Sequence, residues 1–250
     1  MPKLASMIRI PSKISPDPIF EATFEIRFET LFPYQAIVGI IFAALHHSEF
    51  GDKIENLPIT NLPVHIWQMD PNLTYQPHVR ISKNNYIVQI GPRMISLSAG
   101  KPYPGWKDFY SKINLLLDSL SKTKVMSRIE RIGLRYINFF TFNIAEQVKV
   151  KLKFDDIEIT ENAPFSLKFE IIDDDQKLKH VIHYSSQASF NDNPSLNGWL
   201  IDIDTIVLDE IIVENKIGEL AEKVHTAEKE IFFKKILTES FIESLDPKFS

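Results

Sequence analysis

The chain has no cysteine, which removes disulfides, thiol catalysis and thiolate metal sites together and fits a reducing compartment. Glycine is scarce as well, with eight in 250 residues. None stands in a Walker loop, a dinucleotide fingerprint or a Gly-x-Ser-x-Gly elbow, so a backbone cradle for phosphate is not expected. Gly100-Lys-Pro-Tyr-Pro-Gly105 has the wrong spacing for one and reads as a turn into a helix. Excess positive charge is also missing: the net charge is -5 and the pI about 5.8. That argues against a nucleic-acid surface, because phosphate contacts need clustered Lys and Arg. The longest apolar run, Ala36 to Leu45, falls well short of the roughly 20 residues that cross a bilayer. The N-terminal segment lacks the apolar centre and cleavage site of a secretory signal. A cytoplasmic protein without membrane association is the expectation.

What remains is an ordinary globular composition, 44% hydrophobic and 24% charged, and a clear alternation in two segments. Glu21-Ala-Thr-Phe-Glu-Ile-Arg-Phe-Glu29 and Arg128-Ile-Glu-Arg-Ile-Gly-Leu-Arg-Tyr-Ile-Asn138 place apolar residues at nearly every second position. Each reads as a strand with one buried face. Further strands are expected at Val64–Met69, His78–Ser82, Tyr86–Gly91, Met94–Ala99, Val148–Phe154, Phe165–Asp173, Lys179–Ser189 and Trp199–Leu208, joined largely by short polar or Gly/Pro connectors. Helices are expected at Tyr34–His47, which Pro33 opens and which is apolar nearly all round, at Trp106–Leu120, where apolar residues recur at intervals of three and four, and at Ile217–Leu245. The pattern predicts an α+β fold, mainly antiparallel, with three principal helices including a long C-terminal one. Residues 1–142 and 148–250 form its halves, in one compact unit.

Four segments together carry a resemblance: Asp17-Pro-Ile-Phe-Glu-Ala-Thr-Phe-Glu-Ile-Arg-Phe, Tyr103-Pro-Gly-Trp-Lys-Asp-Phe, Arg131-Ile-Gly-Leu-Arg-Tyr-Ile-Asn, and a helix from His225 to Leu237 followed by Thr238-Glu. The chain resembles an uncharacterised prokaryotic family of about this length that occurs sporadically. The resemblance implies a bacterial or archaeal protein whose patchy occurrence is that of mobile or defence-associated genes. It supplies no catalytic residues.

The candidate ligand-binding residues are Glu21, Glu25, Arg27, Arg131 and Arg135. If the two alternating strands are neighbours, their Glu and Arg side chains form cross-strand ion pairs worth a few tenths to about 1 kcal/mol each. That is the plainer explanation. The functional one is a charged concave face on which the arginines grip an anion bidentately while the glutamates orient them. Gly133 fits a close approach by ligand or backbone. A likeness to the Glu-x-Glu-x-Lys strand of triphosphate tunnel enzymes fails on spacing.

Elsewhere, Asp202 and Asp204 share a strand face, and Glu222, His225 and Glu228 follow at steps of three on the last helix. The trio could hold a metal ion, though a solvated helix face explains it more simply. His46, His47, His65, His78, His180 and His183 are scattered, and His180 and His183 point to opposite strand faces. The aromatic residues, Trp67, Trp106 and Trp199 among them, read as core rather than as a base-stacking platform. No metal or cofactor is expected. The functional expectation is a binding or regulatory protein with a protein partner or self-association through the Tyr34–Leu45 or C-terminal helix. The alternative is a metal- or phosphate-dependent enzyme using the charged sheet face.

Overall fold

The computed structural model describes residues 9–45, 49–51, 53–63, 66, 69–159, 163–190, 193–209 and 212–249. In chain order its elements begin β1 (Ile19–Glu29), α1 (Tyr34–Leu45), β2 (Ile54–Asn56), β3 (Val79–Lys83), β4 (Tyr86–Gly91) and β5 (Met94–Gly100). They continue with α2 (Trp106–Ser121), β6 (Arg128–Phe140), β7 (Lys153–Phe154), β8 (Ile157–Glu158), β9 (Ser166–Asp173), β10 (Leu178–Phe190) and β11 (Asn193–Val207). α3 (Ile217–Glu230), a π-helical turn (Ile231–Ile236) and α4 (Glu239–Ser244) close the chain.

The fold is α+β, organised by one nine-stranded antiparallel sheet in the order β2-β3-β4-β5-β1-β6-β11-β10-β9. The two strands expected to match are neighbours, and β1 pairs on its other side with β5. Period-2 alternation sends Ala22, Phe24, Ile26 and Phe28 of β1 to one face, where all are fully buried. Burying a Phe or Ile side chain contributes about 1.5–3 kcal/mol relative to exposure. Ile132, Leu134 and Tyr136 of β6 join them in the same core.

The helices cover that face. α2 presents Phe109, Ile113, Leu116 and Leu120, and α3 presents Ile217, Ala221 and Val224, to the same cluster. Before α2 the backbone turns at Gly105 with φ of +91°, a conformation that side-chain-bearing residues rarely adopt. β6 pairs with β11, so a single sheet runs through both halves of the chain. A second cluster, with Ile182, Tyr184, Ile201 and Ile203 against Phe232, Phe233 and Phe241, lies under the later strands.

Two elements differ from expectation. Val148–Phe154 does not enter the main sheet: Val148 makes only an isolated bridge to Leu237, and Lys153–Phe154 forms a small hairpin with Ile157–Glu158. Its alternating apolar residues find a helix end to pack on instead of a strand. The C-terminal helix is long, as expected, but it stops at Ile236 rather than running on to Leu245. After α3 the chain loosens into the π-helical turn, with the Leu237 N–H donating to Phe232 O at 3.0 Å, and Leu237 itself is extended. Thr238 then caps α4, its hydroxyl accepting from the Phe241 N–H at 3.3 Å, as hydroxyl N-caps do. The strand expected at Val64–Met69 and the residues His46, His47, His65 and Trp67 lie largely or wholly outside the described residues.

Candidate functional site

The charged ladder occupies the sheet face away from the helices. Glu25 sits opposite Gly133 and Arg27 opposite Arg131, while Arg135 faces Thr23 on one side and Asp204 on the other. Arg131 donates to Glu25 and, at 2.6 Å, to Asp204. Its guanidinium lies across Gly133, where an added Cβ would come within 2.8 Å of it, so the glycine makes room for the arginine rather than for an external ligand. Arg135 holds Asp202 through a two-pronged contact at 2.7 and 2.6 Å. Arg27 donates to Glu25 at 2.7 Å and stacks over Tyr75, whereas Glu21 accepts from the Thr23 hydroxyl at 2.8 Å. The five candidate residues are thus brought onto one face, each with a partner inside the protein. Asp202 and Asp204 supply the carboxylates that the candidate set did not include. Burial pushes the Asp204 carboxyl up in spite of Arg131, and the bond to Asp202 pushes Arg135 up.

On the opposite face the packing leaves a cavity of about 240 Å³. It lies where the two hydrophobic clusters meet, and four separate segments build it. The strand ends β1 and β6 supply Ile19, Tyr136 and Asn138, the turn before α2 supplies Tyr103, and α2 supplies its first residue, Trp106. The N-terminal segment adds Asp17. α3 adds His225, Glu228 and Lys229, and its continuation into the π-helical turn brings Phe232 and Phe233 into the wall. π-helical turns within helices occur frequently at functional sites.

One edge of the cavity is an aromatic and hydrogen-bonded stack. The Trp106 indole lies flat on the His225 imidazole, centroids 3.8 Å apart and planes 9° from parallel. Its Nε1–H donates to Glu222 at 2.9 Å. His225 Nδ1 meets the Tyr136 hydroxyl at 3.0 Å, and that hydroxyl meets Tyr103 Oη at 3.2 Å. Burial, with Lys229 nearby, lowers the imidazole to about 3, so it is neutral at physiological pH and able to take either role toward the phenol. Burial drives both tyrosines well above the ordinary range for a phenol.

Glu228 is the anomaly. Its side chain is 4% exposed, yet among the described residues it has no hydrogen-bond or ion-pair partner. Buried carboxyl groups are ordinarily paired, since an ionised one without a partner is costly. Here burial pushes the group up to about 8, and the neighbouring Lys229 only partly offsets that. Glu228 is therefore mostly a neutral acid at pH 7. A strongly perturbed buried group in a cleft is a recognised mark of a functional site.

The metal grouping considered for Glu222, His225 and Glu228 is not assembled. Glu222 is taken by the indole and His225 by Tyr136 and Trp106. Among the described residues no three His, Cys, Asp or Glu side chains stand close enough to hold a metal ion. His180 and His183 do face opposite ways, to Thr205 at 2.9 Å and Ser166 at 2.8 Å. Sequence reasoning missed the cavity, although Asp17, Tyr103, Trp106, Tyr136, Asn138 and His225 all fall in the four segments that carried the family resemblance.

Fold and site together define an antiparallel α+β protein with a helix-covered pocket. No helix among the described residues is long and apolar enough to cross a membrane. No known protein family matches the chain, and neither does any curated protein.

Proposed function

We propose that the protein is a non-catalytic binding or regulatory protein whose ligand site is the cavity between Trp106 and Phe232. The observation that carries this reading is Glu228, a buried carboxyl without a partner among the described residues, in a preformed and mostly apolar pocket. A largely apolar pocket with a few convergent polar groups is the usual form of a small-molecule site. Its volume lies below the ~300–1,000 Å³ typical of drug-sized ligands, so the ligand is small. The charged sheet face supports a phosphate-binding reading less well, because Arg131 and Arg135 already hold carboxylates. The resemblance to a sporadic family would make the protein an accessory of a defence or mobile-element locus in the cytoplasm, passing ligand occupancy to a protein partner or a second copy.

An NMR screen tests the site. With the indole resonance of Trp106 assigned through Trp106→Phe, a mixture of small cationic, neutral and anionic aromatic fragments is added to the ¹⁵N-labelled protein. Fragments that bind should move the Trp106 indole and the Tyr136 amide together. If none moves them at millimolar concentration, the cavity is not a ligand site.

A further inference from the structure

We infer that the cavity selects a small organic cation, an amidinium or primary ammonium head that docks on Glu228 with its apolar body against Phe232 and Phe233. The inference rests on the cavity being the ligand site and goes beyond it to the chemistry of the ligand.

The aromatic donors of the lining are committed, and three side chains keep acceptor oxygens. The indole N–H of Trp106 is used on Glu222, and the tyrosine hydroxyls bond to each other and to His225. The Asn138 amide donates one N–H to Ile201 O at 3.2 Å, which leaves its carbonyl oxygen as an acceptor beside one remaining N–H. Asp17 accepts the Ile19 N–H through one oxygen at 3.0 Å and has the other to offer. Glu228 completes the set, and among the described residues no hydrogen bond or ion pair reaches it. A ligand that satisfies these oxygens must bring N–H groups, and a charged planar head bonds a carboxylate through two of them at once.

The cations near the cavity do not play that part. Lys13 is exposed, and Lys229, although next to Glu228 in sequence, is only partly buried and forms no ion pair with it. A lysine ammonium can extend to water along its own stem, whereas the shorter Glu228 side chain, 4% exposed, lines the cavity. Around Glu228 the remaining titratable groups are His225 and Glu222 on α3, Tyr103 before α2, Tyr136 on β6 and Asp17 from the N-terminal segment. None of them supplies a positive charge at neutral pH: His225 is neutral, and the others are acids. The ionised form of Glu228 is thus available at little cost only when a cation arrives. Binding and deprotonation of Glu228 are then linked, and affinity rises with pH until the carboxyl is ionised without help.

Isothermal titration with benzamidine, benzamide and benzoate separates the possibilities, since the three share a shape and differ in charge. Benzamidine should bind at least tenfold more tightly than either isostere. With Glu228 ionising at about 8, the ionised fraction rises from roughly a tenth at pH 7 to about three quarters at pH 8.5, so benzamidine affinity should increase about eightfold across that interval. Glu228→Gln, a variant expected to fold more stably than the parent, should abolish both the preference and the pH dependence. If benzamide or benzoate matches benzamidine, the cavity still binds ligand and the cation inference falls. Benzamidine binding that survives Glu228→Gln also overturns it, by placing the amidine elsewhere. If none of the three compounds binds at millimolar concentration, both the inference and the ligand site are contradicted.

Discussion

Replacing Glu228 by Gln should stabilise the protein, and more so as pH rises. The native carboxyl stays protonated up to about 8, against 4.5 for an unburied glutamate. In the unfolded chain the group ionises from 4.5 upward. Between those values the unfolded state holds one proton fewer than the native state, so stability falls as pH rises through the window and levels off above it. At about 1.4 kcal/mol per pH decade, most of the interval from pH 5 to pH 7.5 lies inside the window, and the wild type should lose about 3 kcal/mol across it. Glutamine does not ionise and carries no such slope. The His225 contribution is common to both proteins, so the difference between them isolates Glu228. Urea unfolding followed by far-UV circular dichroism at pH 5, 6, 7 and 7.5 measures it, with slopes checked for constancy. A gap between variant and wild type that widens by about 3 kcal/mol from pH 5 to 7.5 is the expected result. Stability curves that run parallel would refute the reasoning, because they would mean that Glu228 is already ionised and satisfied.

Other perturbations test neighbouring parts of the molecule. His225 works with the opposite sign: its native value of about 3 lies below the ordinary 6.5, so stability is lost as pH falls through that interval, and His225→Phe should flatten the acid limb of the stability profile measured in urea. On the sheet face, Arg135→Ala leaves Asp202, whose side chain is 10% exposed, without its two-pronged partner. Because Arg135 itself is half exposed, the loss should be about 1–3 kcal/mol in urea unfolding at pH 7, whereas Arg128→Ala, which breaks an exposed contact to Glu29, should cost no more than about 1 kcal/mol. Equal effects would contradict the ladder as described. Gly91→Ala would set a Cβ 2.3 Å from the Gln76 carbonyl oxygen, and because backbone cannot swing aside, a melting-temperature drop of several degrees is expected, matching a loss of roughly 1–3 kcal/mol.

Much of this fold was legible in residue order because its elements announce their period. Ile19–Glu29 alternates strictly enough that only one face can be buried, and the structure buries it, while Arg128–Phe140 alternates over its middle and is buried on both faces toward its end. α2 shows the same clarity at helical spacing, with Phe109, Ile113, Leu116 and Leu120 inward. Val148–Phe154 misled because alternation records amphipathicity and not the presence of a neighbouring strand. The break at Leu237 escaped notice since the apolar stripe from Ile231 to Phe241 continues through it, and only the Thr238 cap marks the stop.

The ladder was half visible. Its arginines and glutamates stood out on two strands, but pairing with Asp202 and Asp204 depends on β11 lying beside β6, a tertiary fact. The cavity was hidden for the same reason: Asp17, Tyr103, Tyr136 and Glu228 lie far apart along the chain, and no local pattern joins them. The step of three from Glu222 to His225 to Glu228 did identify a shared helix face. What lay opposite that face, an indole and a pocket, could not be inferred from spacing.

The central claim is that Glu228 waits in the pocket as a neutral acid for a cation. Its side-chain carboxyl can be followed directly by carbon-detected NMR in a pH titration, with Glu228→Gln to assign the signal. A midpoint near 8 that moves downward on addition of benzamidine is the expected result. A midpoint near 4.5, unmoved by the amidine, would contradict it.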